Sequence, residues 1–486
     1  MNPFLATDGY KTGHHLMYPQ GTTLVYSNFT PRTNKHAPDG CDHVVSFGQQ
    51  MVMKHIHAMF DLHFFRIAKE VVCADIKKEY SIYLNCEYDV SHIEALHDLG
   101  YLPIKVKTIE EGRLVPIGVP VLTIYNTLPD FYWITNFLET VISNLLWKPI
   151  TSATIANKFK TDLLKWAKKT DEENIGFVDF QAHDFSMRGM DSLWASMSSG
   201  LGHATSFLGS DSLPAIHGAI QYYGTTNDEM VICSVNATEH SVMSAGTRED
   251  EIETFRYLMK QFPTGILSIV SDTWDLWKVC TEILPALKDE ILARDGKIVI
   301  RPDSGDPVDI LCGKLHNKDE NRNHEEKGVI ELLWDVFGGA ENEQGYKMLN
   351  PKIGAIYGDS INLDRANRIC ERLEKKGFAS TNVVLGVGSF TYQFNTRDTF
   401  GFAMKATYCE VNGEGRIIYK DPVTDDGTKK SAKGLLHVST IEDKTTFIDQ
   451  VDWEMEDSGE LQLIYLDGSF ENITTLTKIR ERLSGK

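Results

Sequence analysis

An arginine and an aspartate flank a proline in Arg301-Pro302-Asp303-Ser304-Gly305-Asp306-Pro307, directly after the apolar run KIVI. Helix capping accounts for Ser304 but not for the Arg/Asp pair. Such a pair at a strand exit can hold a sugar hydroxyl or a metal-bound phosphate on one side and an aromatic ring on the other. The acidic theme recurs after other apolar runs, in Ser210-Asp211, Ser271-Asp272 and Gly358-Asp359-Ser360. Capping competes with chemistry at each of these taken alone. His240 closes VICSVNATEH, directly after such a run and with acids on neighbouring run ends. Asp272, one run further on, is placed to hold its ring, as in nucleophile–base–orienter arrangements. A pyridine-ring ligand or an activated phosphoryl group suits that set. Gly386-Val387-Gly388 offers a phosphate loop followed by Arg397 and Lys405, although Thr391 stands where a dinucleotide fingerprint needs its third glycine. There is no G-x-x-x-x-G-K-[ST] and no G-x-S-x-G. His14-His15 and His55-Ile-His57 lack the spaced partners of a metal site.

All of these clusters share one setting. Seven apolar runs precede them: FVDFQ before His183-Asp184-Phe185, TSFL before Gly209-Ser210-Asp211, MVICSV before Asn236 to His240, ILSIV before Ser271-Asp272, then KIVI, IGAIY, and NVVL before Gly386 to Ser389. Short unbroken apolar runs bounded by turn residues predict buried parallel strands, and the stretches between them read as helices. Closed into a barrel, such strands place every cluster on the C-terminal rim, where barrel enzymes keep their chemistry. The chain is therefore expected to be α/β, with a central (β/α) barrel-like domain over 151–399. A β-rich domain is expected from the two ends, 1–150 and 400–486.

The flanks carry their own patterns. Residues 47–85 have a helical period, as do 129–169, with an aromatic face of Phe131, Tyr132, Trp133 and Phe137 that reads as core packing. Residues 101–126 alternate Ile104 and Val106 with Lys105 and Lys107, which predicts an antiparallel sheet with one wet face. Asn412-Gly413 and Asp467-Gly468 are hairpin signals, and the charged stretch 313–328 reads as a solvated surface loop. A chain of 486 residues favours two domains. A net charge of −19 opposes non-specific nucleic-acid binding, yet leaves room for an anionic small substrate in a local Arg/Lys pocket. No run approaches the length of a membrane span, and the start of the chain lacks a signal-peptide pattern. Eight scattered cysteines without a C-x-x-C point to reduced thiols and a cytoplasmic protein.

Taken in order, LATDGYK at 5–11, HDFSMRG at 183–189, GSD at 209–211, SVNATEHS at 234–241, SDTWD at 271–275, IRPDSGDP at 300–307, GDS at 358–360 and TRD at 396–398 form a specific set. The chain resembles the nicotinamide phosphoribosyltransferases, a family of type II phosphoribosyltransferases, in their bacterial or phage branch. The resemblance implies transfer of the phosphoribosyl group of phosphoribosyl pyrophosphate to nicotinamide, with Mg²⁺ and with ATP as co-substrate through a phosphohistidine at His240, oriented by Asp272. It implies that Phe185 stacks on the pyridine ring, that Asp211 accepts from the carboxamide, and that Arg301 lines the pocket. Asp8 and Tyr10 would come from the second subunit of a homodimer. Asp303 and Asp359 would hold the ribose and magnesium-bound phosphates. Gly358, Gly388 and Ser389 would bind the 5′-phosphate. Arg188, Arg32, Arg397, Lys405, Lys420 and Lys429 would clamp phosphate and pyrophosphate. Met187 replaces a Tyr of animal members, and the loop GVGSF is closer to nicotinate-specific relatives. The alternative of the same class is a nicotinate phosphoribosyltransferase. A catalytically silent binding relative and a generic barrel hydrolase are the alternatives from other classes.

Overall fold

Val383–Val387 and Ile353–Tyr357 are apolar on both faces and almost wholly buried, as strands covered on both sides must be. In the computed structural model, which describes residues 1–314, 322–420, 432–442 and 444–485, they lie side by side in a parallel sheet. The order is Ala182–Asp184, Val383–Val387, Ile353–Tyr357, Asp295–Arg301, Thr264–Val270, Asn236–Ala237. Single parallel bridges, Asp184 to Ser210 and Gly209 to Cys233, carry the ladder from its first strand back to the segment that leads into Asn236. The parallel pairing thus closes on itself through seven segments, five of them regular strands of three residues or more.

Strand alternation separates the two faces. Ile298 and Ile300 join Leu267, Ile269 and Leu385 in a core shared with surrounding helices. Lys297, Val299 and Arg301, between and beyond them, line the lumen instead. This barrel belongs to a unit comprising Ile155–His217 and Asn227–Phe394.

Three of the seven runs are not strands where the sequence suggests: MVICSV contributes only a single bridge at Cys233, and the regular strand starts at Asn236. Most of FVDFQ is the short helix Val178–Gln181, and the strand starts at Ala182. TSFL finishes the helix Leu193–Ala204: Thr205 N–H bonds Leu201 O and Phe207 N–H bonds His203 O, so those amides are engaged before Gly209 reaches the ladder. The charged stretch 313–328 is also less loop-like than expected. Asn323 and Glu326 form a capping box that starts the helix His324–Phe337.

The other unit comprises Met1–Thr154, Gly218–Thr226 and Asn395–Lys486. Residues 218–226, inside the barrel stretch of the sequence, thus cluster with the chain ends. Its main sheet is antiparallel, in the order Glu414–Ile417, Ala403–Val411, Thr22–Thr30, Leu122–Asn126, Ile104–Thr108, Gln462–Leu466, Ser469–Phe470. Thr22–Thr30 pairs with Ala403–Val411, so residues from both ends of the sequence share one sheet. Both hairpin signals are realised: Asn412 and Gly413, and Asp467 and Gly468, all have positive φ, as a type I′ turn requires. Helices Gln49–Phe60 and Lys69–Leu84 fill the stretch read as helical, and Trp133 and Phe137 pack on Phe4. The wet face expected at Lys107 is absent. Its side chain is 4% exposed and paired with Glu456 at 2.9 Å, because the strand Gln462–Leu466 and the helix Trp453–Ser458 cover that edge.

Candidate active site

The rim of the barrel is a chain of contacts among the strand-end residues. Phe185 N–H donates to Val387 O at 2.9 Å, which fixes Phe185 just past its strand. Its ring lies 4.5 Å from that of His183, and the Arg301 guanidinium sits 5.9 Å from the Phe185 ring centroid. Arg301 is largely desolvated. Burial lowers its pKa, and Asp303, Asp211 and Asp272 oppose that by favouring the charge. Its Nε is buried without a hydrogen-bond partner among the described residues, while the side chain lines a cavity.

Asp211 faces the same cavity of about 570 Å³, with Phe185, His183, Ser234 and Arg301. Its Oδ1 accepts from His183 Nε2 at 2.9 Å and from Ser234 Oγ at 2.5 Å. Partial burial alone raises a carboxylate pKa. Here the hydrogen bonds from His183 and Ser234, with the charges of His183 and Arg301, outweigh it and hold Asp211 below its ordinary value.

The neighbouring arc is looser. His240 stands at the start of the helix His240–Ala245, with Nε2 3.9 Å from Asp272 Oδ1 and 3.6 Å from Asp303 Oδ2. Its one short hydrogen bond, 3.0 Å from Nδ1, goes to Thr273 Oγ1. Asp272 Oδ2 accepts from the Asp303 backbone N–H at 2.8 Å, while its Oδ1 is buried with no hydrogen bond. Gly358 N–H donates to Pro302 O, and a Cβ on Gly358 would come within 2.6 Å of Asp303 Oδ1. A Cβ on Gly388 would collide with Asp359 Oδ1, and one on Gly189 with Ser389 Oγ. The backbone therefore approaches these polar groups as closely as it does only because glycine stands there. Arg188 and Met187 are exposed beside this loop.

The structure thus gathers His240, Asp272, Asp303, Arg301, Asp359, Phe185, Asp211, Arg188, Gly358, Gly388 and Ser389 in one unit. Asp8, Tyr10, Arg32, Arg397, Lys405 and Lys420 belong to the other. There Asp8, Tyr10, Arg397 and Lys405 line a cavity of about 380 Å³. Burial lowers the Lys405 pKa, and Arg32, Lys420 and Arg397 lower it further against the opposing charge of Glu139, which marks a cluster of cations. Tyr10 is 65% exposed, and Asp8 accepts from Thr140. Lys429 lies outside the described residues.

Sequence reasoning overlooked three residues. His183 was detectable: in extended chain running up to Phe185, residue 183 shares its face. Thr273 and Ser234 carried no such signal. Among the described residues no group of three His, Cys, Asp or Glu side chains is placed to cage a metal. Asp303 and Asp359, whose side chains have no hydrogen bond among the described residues, fit the other mode, in which Mg²⁺ keeps its waters and is held by one or two carboxylates plus substrate phosphates. All eight cysteines are free thiols, and no described helix is long and apolar enough to cross a membrane.

Residues 180–457, which include this whole rim, match the sequence profile of the nicotinate phosphoribosyltransferase (NAPRTase) family. The chain belongs to that family. It is 48% identical to a nicotinamide phosphoribosyltransferase of Acinetobacter baylyi, over 100% of this chain and 97% of that protein. It is 34% identical to one of Mycoplasma pneumoniae, over 88% of this chain and 94% of that protein. Among solved structures, human nicotinic acid phosphoribosyltransferase superposes with a TM-score of 0.58 at 15% identity, covering 99% of this chain and 93% of that one. A nicotinate-nucleotide pyrophosphorylase of Pyrococcus furiosus gives 0.55 at 14%, covering 100% and 95%. These two share the fold, and the family match makes the chain a phosphoribosyltransferase.

Proposed function

We propose that the protein transfers the phosphoribosyl group of phosphoribosyl pyrophosphate to nicotinamide, giving nicotinamide mononucleotide and pyrophosphate. The observation that carries this reading is the ionised Asp211, whose Oδ1 is engaged by His183 and Ser234 while its Oδ2 has no partner among the described residues. A carboxylate at that point accepts from an amide N–H and repels an acid anion. The names of the curated relatives support the same choice.

The pyridine nitrogen needs no base. Its lone pair forms the bond to C1′ of the ribose, and the C1′–O bond electrons leave with pyrophosphate. Phe185 and Arg301 orient the ring, Asp303 and Asp359 face the cationic sugar, and the loop of Gly388 and Ser389 with Arg188 receives the phosphates. Asp303 and Asp359 would hold Mg²⁺ through those phosphates, where its charge offsets that of the leaving group. A ring nitrogen of His240, flanked by Asp272 and Asp303, takes the γ-phosphoryl group of ATP as its bond to the bridging oxygen breaks and ADP leaves, and water then cleaves the N–P bond to release inorganic phosphate. Asp8, Tyr10 and the cations Arg32, Arg397, Lys405 and Lys420 serve the site of the partner in a homodimer.

Product formation from phosphoribosyl pyrophosphate and Mg²⁺, with nicotinamide or nicotinate and with or without ATP, tests the proposal. Mononucleotide from the amide, enhanced by ATP in wild type and not in His240→Ala, is the expected result. Product from the acid alone overturns the substrate, and unchanged ATP stimulation in His240→Ala overturns the phosphohistidine. A monomer of full activity by light scattering overturns the shared site.

A further inference from the structure

Asp211 is described above as the group that selects the amide, and the inference here rests on that reading. The Ser234 hydroxyl lies 2.5 Å from Asp211 Oδ1. A carboxylate has no proton to give and a hydroxyl has one, so the Ser234 proton is committed to Asp211. Ser234 then has only lone pairs left for the cavity that it lines together with Asp211, Phe185 and Arg301. His183 cannot take over this part. Its Nε2 bonds the same Oδ1, and its Nδ1 lies so close to Gly209 that an added Cβ there would come within 2.9 Å of it. The ring is wedged against the backbone. Asp211 and Ser234 thus offer acceptors to the cavity, while the Arg301 guanidinium, which carries only donors, lines it too.

A primary carboxamide matches that division with two N–H donors and one carbonyl acceptor; a carboxylate offers acceptors only. We propose that Ser234 is a specificity-determining residue for the amide substrate. It fixes which Asp211 oxygen is engaged, leaves the other for one amide N–H, and presents its own lone pair to the second. Nicotinate meets two groups that can only repel or ignore its carboxylate.

Steady-state kinetics of wild type, Ser234→Ala and Ser234→Thr with nicotinamide and nicotinate test this. One lost hydrogen bond to a ligand corresponds to about a tenfold effect. Ser234→Ala is expected to raise KM for nicotinamide about tenfold with kcat nearly unchanged. It should move the amide-to-acid ratio of kcat/KM at least tenfold toward the acid and leave KM for phosphoribosyl pyrophosphate as it was. Ser234→Thr, which keeps the hydroxyl, should restore the ratio. An unchanged ratio in Ser234→Ala, or a threonine variant that behaves like alanine, overturns the proposal. In wild type, the N-methyl amide of nicotinate, which lacks one N–H, should bind about tenfold more weakly than nicotinamide; equal binding overturns the proposal without any variant. A wild-type enzyme inactive on nicotinamide overturns instead the substrate reading on which this rests.

Discussion

Two arcs of one barrel rim handle their carboxylates in opposite ways. At the ring end, Asp211 is tied by two donors to one oxygen, and one of those donors, His183, is fixed in turn by its strand and the Gly209 backbone. At the sugar end, Asp272 and Asp303 lie near a single histidine at 3.6–3.9 Å, and one Asp272 oxygen is buried with no hydrogen bond. A buried, unsatisfied charged group is destabilising. Such groups persist where a bound cation or a developing positive charge compensates them. The difference teaches which arc recognises and which reacts. The first is complete before a ligand arrives, as discrimination of a neutral amide requires. On the proposed function, the second would be completed by the ligand, with its cationic sugar and its phosphates.

The largest effect is expected at the second arc. Asp303→Ala should lower kcat by about 10²–10³-fold, roughly 3–4 kcal/mol of transition-state stabilisation, with nicotinamide binding nearly intact. Isothermal titration beside steady-state kinetics checks both halves. A variant that loses ring binding and keeps kcat would merge the two arcs into one. Next comes the strand Val383–Val387, which runs beside Ala182–Asp184. A Cβ on Gly386 would collide with the backbone oxygen of Tyr357, which no side-chain rotation can relieve. Gly386→Ala should cost about 1–3 kcal/mol of stability, read as a lower urea midpoint at unchanged slope.

How far all this was legible in the sequence follows the same division. Residues that end a regular strand were placed well: Phe185, Arg301 and Gly388 sit where an apolar run predicts a rim position. Asp211 was found despite an irregular approach, since TSFL belongs to a helix end and only a single bridge carries Gly209 and Ser210 into the ladder. The supporting contacts were not legible. Nothing in SVNATEHS says that Ser234 turns to an aspartate 23 residues earlier, or that Thr273 rather than Asp272 takes His240 Nδ1. These depend on side-chain direction across non-local strand ends. Lys107 failed for a related reason: alternation gave its face correctly as distinct from that of Val106, but could not show that Glu456 would cover it.

A smaller effect probes the strain of the second arc. Asp272→Asn keeps an acceptor for the Asp303 N–H and removes a buried charge from beside Asp303. It should raise the unfolding free energy by about 1 kcal/mol while lowering activity, a trade that urea titration and kinetics on one preparation reveal. A destabilised variant would mean that the orphan oxygen already has a compensating partner in the free protein.

The smallest effect belongs to the first arc and concerns pH. Asp211 has a folded-state pKa below its ordinary 3.8, because hydrogen bonds from His183 and Ser234 outweigh burial. A carboxylate with a depressed pKa binds fewer protons folded than unfolded. Its contribution to stability is therefore complete above about pH 4 and is lost as pH falls through the folded-state value. Asp211→Asn removes that dependence, so wild type and variant should remain apart down to pH 5 and converge only below pH 4. Because the side chain is 43% exposed, the gap is modest and salt narrows it. Urea midpoints along the pH series measure it. A gap that closes between pH 5 and pH 6 instead would show that Asp211 is not held ionised by its neighbours, and the contrast between a finished arc and an unfinished one would fail at its firmer end.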